Sequence, residues 1–340
     1  MAESASASHP YGSARSLERR APGAGGCPSG ARRSARLARR ALALGLALAG
    51  AAEHSADAQQ APVLEVVEDV DFDRPEAWAM KYFGSISMLT PLAPARPRPP
   101  GTVELALEVS QVPHLSTAER TVGFNGLKEE DLNRLPVLVR PRVTVALPRR
   151  LAIEVGYVPP VRVDGVEPNL FSLALERALY AGERWSVAGR VHGQLGEVEG
   201  DLTCSKEDAS FPPGSPDNAF GCEAPSRDVS TLDHVGLHLG AGYELPAARG
   251  STLLFGVGVV RHDLEFQVDA LTFGLHDRTL LRADGTTYAL NAGISIPASE
   301  RTLLAFEVLW SALDVVRPPR TAAENDDLLH LRAILRYRVR

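Results

Sequence analysis

From about residue 101 to the C-terminus, apolar and polar residues alternate with a period of two. The last segment is the cleanest case. Leu329, Leu331, Ala333, Leu335, Tyr337 and Val339 fall on one face, and His330, Arg332, Arg336 and Arg338 on the other. Val103, Leu105, Leu107 and Val109 alternate in the same way with Glu104, Ala106, Glu108 and Ser110. Val235, Leu237, Leu239, Ala241 and Tyr243 alternate with His234, His238, Gly240 and Gly242. A helix brings its apolar residues round every three to four positions, so this spacing predicts strands. Similar runs near 139–147, 151–157, 171–179, 185–195, 253–259, 287–296 and 304–310 bring the number to about ten. Each is near the length that a tilted strand needs to cross a bilayer.

The connections sort by parity. Short turns are expected at Pro148-Arg149-Arg150, Ala181-Gly182-Glu183, Pro246 to Gly250 and Pro297 to Arg301. Long connections are expected near 111–135, 159–168, 196–230, 269–285 and 313–326. A meander threaded through an outer membrane has short turns on one side and long loops on the other, whereas a soluble sandwich has no reason to sort them. Aromatic residues gather at both levels, as interfacial girdles do. Tyr180, Trp185, Tyr243 and Tyr337 lie near the short turns, and Tyr157, Phe171, Tyr288 and Trp310 near the long loops.

The polar face carries Glu104, Glu108, Glu154, Glu176, Glu244 and Glu307 with Arg140, Arg142, Arg184, Arg190, Arg332, Arg336 and Arg338, and almost no lysine. Carboxylates and guanidinium forks brought together by closure satisfy one another, which predicts lumen charges. A barrel of about ten strands is little wider than the eight-stranded ones that side chains fill, so the lumen is expected to be narrow and largely filled.

Residues 1–58 read as a leader. Arg32, Arg33, Arg36, Arg39 and Arg40 precede an apolar run from Ala41 to Ala52, and Ala56-Asp57-Ala58 has the small-x-small form of a cleavage site. The run is too short to cross a bilayer as a helix, so a signal peptide cleaved after Ala58 is expected. Removing it takes away eight arginines and four acidic residues and moves the formal charge from -6 to -10, which argues against nucleic acid as a partner. Cys27 leaves with the leader. Cys204 and Cys222 remain, an even pair in an exported chain, and a disulfide is expected between them.

Residues 59–100 form a separate segment, periplasmic or inserted into the lumen, that ends in the proline-rich linker Pro91 to Pro100. Phe83 to Met88 could add a strand there, and with a partner strand that gives an alternative of twelve. Thr117 to Arg120 and Lys128 to Arg134 are expected as charged helical turns in the first long loop. Composition sharpens this picture only by exclusion. A mean hydropathy of -0.08 excludes a polytopic helical membrane protein, and 44% hydrophobic residues exclude a disordered chain.

With its leader, strand alternation, sorted loops and final strand at the C-terminus, the chain resembles bacterial outer-membrane β-barrel proteins over roughly residues 101–340. The resemblance implies an all-β fold, a closed antiparallel transmembrane barrel in the outer membrane, with membrane lipid and the outer-membrane assembly machinery as partners. It brings no catalytic motif. The chain departs from the pattern at Tyr337-Arg338-Val339-Arg340, where such proteins often end on an aromatic residue that the machinery reads.

Candidate chemistry is sparse. His234 and His238 on one strand lie about 13 Å apart, too far for one metal ion. Arg261-His262-Asp263 and His276-Asp277 are expected near an outer rim, where an acid–base site on a barrel would lie. Glu129, Glu130, Asp131, Glu324, Asp326 and Asp327 are read as solvated loop charge in preference to a calcium site. No cofactor and no metal is expected. These features predict a non-enzymatic outer-membrane barrel with a structural or recognition role, or with a narrow passage for a small solute. The alternatives are a rim enzyme acting on lipid or peptide and a secreted soluble β-sandwich.

Overall fold

The computed structural model describes residues 61–248 and 250–339. The leader and its cleavage position lie outside the described residues. Ten strands make the barrel. They are β1 (Val103–Gln111), β2 (Val137–Leu147), β3 (Leu151–Val158), β4 (Glu167–Ala181), β5 (Trp185–Gly200), β6 (Asp228–Glu244), β7 (Thr252–Gln267), β8 (Leu280–Pro297), β9 (Thr302–Ser311) and β10 (Leu328–Arg338). Each pairs antiparallel with its neighbours in sequence. The last strand pairs back on the first, from Arg332↔Ser110 to Arg338↔Glu104, and so leaves no open edge among the ten. The loops sort as the pattern predicts: β2–β3, β4–β5, β6–β7 and β8–β9 turn tightly, and the other connections are long.

Strands β5 to β8 run for 16, 17, 16 and 18 residues, longer than the pattern predicts. The reason is that the polarity of the two faces inverts partway along them while the inward and outward positions keep their parity. Toward the short turns the outward positions are apolar (Leu195, Val235, Val259 and Tyr288), and all but Val259 are exposed. Toward the long loops the outward positions become Glu197, Glu199, Arg261, Asp263, Glu265, Arg282 and Asp284. There the inward positions turn apolar instead, and Val198, Leu232, Leu264 and Leu281 join one buried cluster. One stretch of barrel therefore meets lipid outside and charge inside, and the stretch above it meets water outside and a hydrophobic core inside. Tyr157, Phe171 and Tyr288 mark the upper edge of the lipid band, and the Trp185–Tyr243 ring pair at 4.8 Å marks the lower one.

Residues 75–98 lie inside this barrel. Helix α1 (Pro75–Ile86) starts with proline at a first-turn position and Glu76 in the first turn, both favourable at a helix N-terminus. It is buried nearly all round, as a core helix is. Its face toward β7 is set by Gly84, where an added Cβ would lie 3.2 Å from the His262 ring. Phe83 to Met88 is thus the end of a helix and no strand, because the sheet closes without it and offers no edge to pair with. The chain enters from the long-loop side, where Val67–Asp69 pairs parallel with Leu280–Arg282. It leaves at the short-turn side, where Gly101 N–H donates to Ala146 O at 2.9 Å just before β1.

The long loops build a cap above the barrel. Thr117–Arg120 is a helical turn with a complete capping box from Ser116 and Glu119. Lys128 to Arg134 is not helical. Phe124, Asn125 and Gly126 take left-handed backbone and reverse the chain, so that Glu130 N–H bonds Arg120 O at 2.8 Å and Lys128–Glu129 becomes a short strand. Cys204 and Cys222, in the β5–β6 loop, are disulfide-bonded.

Candidate functional site: a locked lumen

Inward positions of β1 to β10 alternate large charged residues with alanine, serine and glycine. The small ones (Ala146, Ala152, Ala174, Ala188, Ala289 and Ala305 among them) make room for a second chain inside. Met88 packs against Val260, Ala289 and Leu309, and Leu92 against Leu254, Ala305 and Ile334. Proline suits such a path. Pro91, Pro94, Pro97, Pro99 and Pro100 bring no N–H that a fully paired barrel wall would leave unsatisfied.

Four arginines fasten the carbonyls of this segment. Arg332 donates to Ser85 O and Ile86 O at 3.1 Å each and to Met88 O at 2.6 Å. Arg140 donates to Ser87 O, Arg142 to Thr90 O at 2.6 Å, and Arg336 to Pro91 O at 2.6 Å. Two of these carbonyls belong to the last turn of α1, whose C-terminal end favours a cation, and Ser85 O also accepts from Met88 N–H at 3.3 Å. Glutamates then hold the arginines. Glu108 accepts from Arg142 Nε at 2.7 Å and lies 3.7 Å from Arg140 and 3.8 Å from Arg332. Glu154 is 2.9 Å from Arg142, 3.1 Å from Arg336 and 3.3 Å from Arg190. Glu307 pairs with no arginine among the described residues and instead accepts from Thr90 Oγ1 and Asn291 Nδ2, both at 2.7 Å.

Toward the short turns the segment supplies the cations. Arg98 lies 3.0 Å from Glu104 and 3.6 Å from Glu176, and Arg96 is 2.7 Å from Glu244. Neither was expected as a lumen charge, since neither belongs to an alternating strand. Of the expected lumen charges, Glu104, Glu108, Arg140, Arg142, Glu154, Arg190, Glu307, Arg332 and Arg336 are buried inside, and Glu176 is partly so. Two positions need correction. Arg184 lies in the β4–β5 turn, exposed, because β4 ends at Ala181. Arg338 sits at the rim with half of its side chain exposed, 3.9 Å from Glu104, because its level is past the end of the filled lumen.

The histidines also fall differently. His262 is no rim residue. β7 continues to Gln267, so His262 points inward, fully buried, with Nε2 2.8 Å from Thr287 Oγ1. His192, His234 and His262 form a row with ring centroids 5.9 and 5.6 Å apart. His238 is spoken for by Asn291 at 2.8 Å. His276 pairs with Asp269 at 2.5 Å in the outer loops, apart from His262. The acidic loop residues do not gather either: Asp326 and Glu324 face Arg317, and Asp327 accepts from Leu313 N–H. Among the described residues, no three His, Cys, Asp or Glu side chains are placed to hold a metal ion.

Glu130 lies in the cap, 2.5 Å from Lys128 Nζ. Burial pushes its carboxyl up from 4.5 to about 8; Lys128 opposes the rise, and Asp228 and Asp208 add to it. A group raised in the folded state contributes its full stability below the unfolded pKa and loses it as pH rises through about 8. The cap should therefore yield to protease faster at about pH 9 than at about pH 6. In Glu130→Gln that dependence should flatten, as read by cleavage rates on intact protein. The disulfide closes a loop with a sequence separation of 18. Cys204→Ser should cost the cap about 3 kcal/mol, seen as faster cleavage between β5 and β6, with the melting of the barrel strands unchanged.

No protein-family profile matches this sequence, and no curated protein matches it. Solved structures do. An outer membrane channel of Pseudomonas putida F1, of the group COG4313, is 12% identical, with 74% of this chain and 100% of that one covered and a TM-score of 0.38. The outer membrane protease OmpT of Escherichia coli is 10% identical, with 70% and 94% covered and a TM-score of 0.33. Ail, the attachment invasion locus protein of Yersinia pestis, is 10% identical, with 71% and 99% covered and a TM-score of 0.30. The structures to which this closed ten-stranded barrel is similar are bacterial outer-membrane barrels.

Proposed function

We propose that this chain is a non-enzymatic barrel of the outer membrane whose lumen is shut by its own N-terminal segment, and whose role is recognition by the cap. One observation carries this reading: Arg140, Arg142, Arg332 and Arg336 donate to backbone carbonyls from Ser85 to Pro91. A solute crossing the barrel would have to break several buried charge-assisted bonds at once. Membrane lipid against the apolar band, and the assembly machinery that inserts such barrels, are its partners in this reading. An enzymatic role has less support, because the pair His276–Asp269 has no hydroxyl or thiol bonded to its remaining ring nitrogen among the described residues.

Planar-bilayer recordings test the proposal. The exported chain should be silent, and deletion of residues 75–98 should give discrete conductance steps. Steady conductance of the intact chain would defeat a shut lumen.

A further inference from the structure

Between α1, the cap loops and the upper strands lies a cavity of about 290 Å³. Met80, Phe83, Leu132, Leu202, Phe266 and Leu281 contribute to its walls. The volume is near the lower end for small-molecule sites, which are typically apolar with a few placed polar groups. Here that polar group is Ser230. It faces inward from β6, is 3% exposed, and its Oγ has no hydrogen-bond partner among the described residues. A buried hydroxyl in an apolar wall costs free energy that a ligand's polar atom recovers.

The cations around the cavity are already matched. Arg74 lies 2.9 Å from Glu76 and 2.5 Å from Glu68, and Lys128 donates to Glu130 and to Thr203 O. An anionic ligand would enter without a counter-ion, so the cavity favours a neutral one over an anion. Phe124 stands at the cavity, half exposed and stacked on Phe220 with centroids 5.4 Å apart.

We infer that this cavity binds a neutral, mainly apolar molecule of one or two rings bearing one hydroxyl, which bonds Ser230 Oγ. The inference deepens the recognition reading and rests on it for its biological sense, but the two fail separately. A conducting barrel would end the shut lumen and leave the pocket, and an unoccupied pocket would leave the lumen shut.

The probes are 2-naphthol and naphthalene, titrated by fluorescence against the full exported chain in lipid nanodiscs, with empty nanodiscs subtracted. Both should bind saturably at one site per chain. Ser230→Ala should weaken 2-naphthol about fivefold and leave naphthalene unchanged, since it removes one hydrogen bond from an unaltered shape. Ala79→Phe, which puts a ring into the cavity from α1, should abolish both. Should Ala79→Phe fail to fold, the contrast between the two probes in Ser230→Ala still decides. Uptake equal to that of empty nanodiscs overturns the inference. So does saturable binding that neither variant changes, which would place the probes on the lipid-facing wall.

Discussion

Arg142→Met should lower the barrel's unfolding free energy by about 3–5 kcal/mol, the range seen when one partner of a buried ion pair is removed. Methionine nearly matches the volume but donates nothing. The loss removes the 2.7 Å bond to Glu108, the 2.9 Å bond to Glu154 and the 2.6 Å bond to Thr90 O together. Glu108 would keep the Ser110 hydroxyl at 3.0 Å and, as cations, only Arg140 and Arg332, at 3.7 and 3.8 Å. Urea unfolding in lipid vesicles, followed by tryptophan fluorescence, measures the change. Arg338→Met, at the half-exposed rim, should fall within about 0.5 kcal/mol of the parent. If the two variants are equally stable, the arginine ladder holds nothing.

Leu237→Arg should cost about 2–4 kcal/mol in a bilayer, although Leu237 is 57% exposed. On a water-facing surface such a change is nearly neutral. Leu237 pairs with Val191 and Val259 in the middle of the apolar band, so its guanidinium would have to enter hydrocarbon or reach past it. Glu265→Leu, on the same outer surface but above the polarity inversion, should shift stability by less than about 0.5 kcal/mol. Equal tolerance at both positions would mean that the band does not face lipid.

Much of the barrel was legible in the sequence because a barrel strand writes its two faces at alternate positions. Leu329 to Val339 gave β10 almost residue by residue, and the parity of Glu108, Arg142 and Arg332 gave the charged interior. The polarity inversion was also written there: Leu195 is followed on one face by Glu197 and Glu199, with Val198 on the other. Read as the end of a strand, it shortened β5 to β8 and misplaced His262. The plug was harder to see. Its helix carries Pro75 at the start and the helix formers Glu76, Ala77, Ala79, Met80 and Lys81, a signal the Phe83–Met88 reading passed over. Its partners are backbone carbonyls, which no side-chain pattern reveals. That four arginines on two strands, β2 and β10, converge on one short stretch of chain is a property of closure, and no local spacing encodes it.

Hydrogen–deuterium exchange on the chain in nanodiscs, read peptide by peptide by mass spectrometry, asks directly whether that stretch lies in the lumen. The amides from Trp78 to Ser87 should exchange as slowly as those of β6 and β7. Exchange of that helix at the rate of an unstructured peptide, with the strands still protected, would mean that the barrel stands open and the N-terminal segment lies elsewhere.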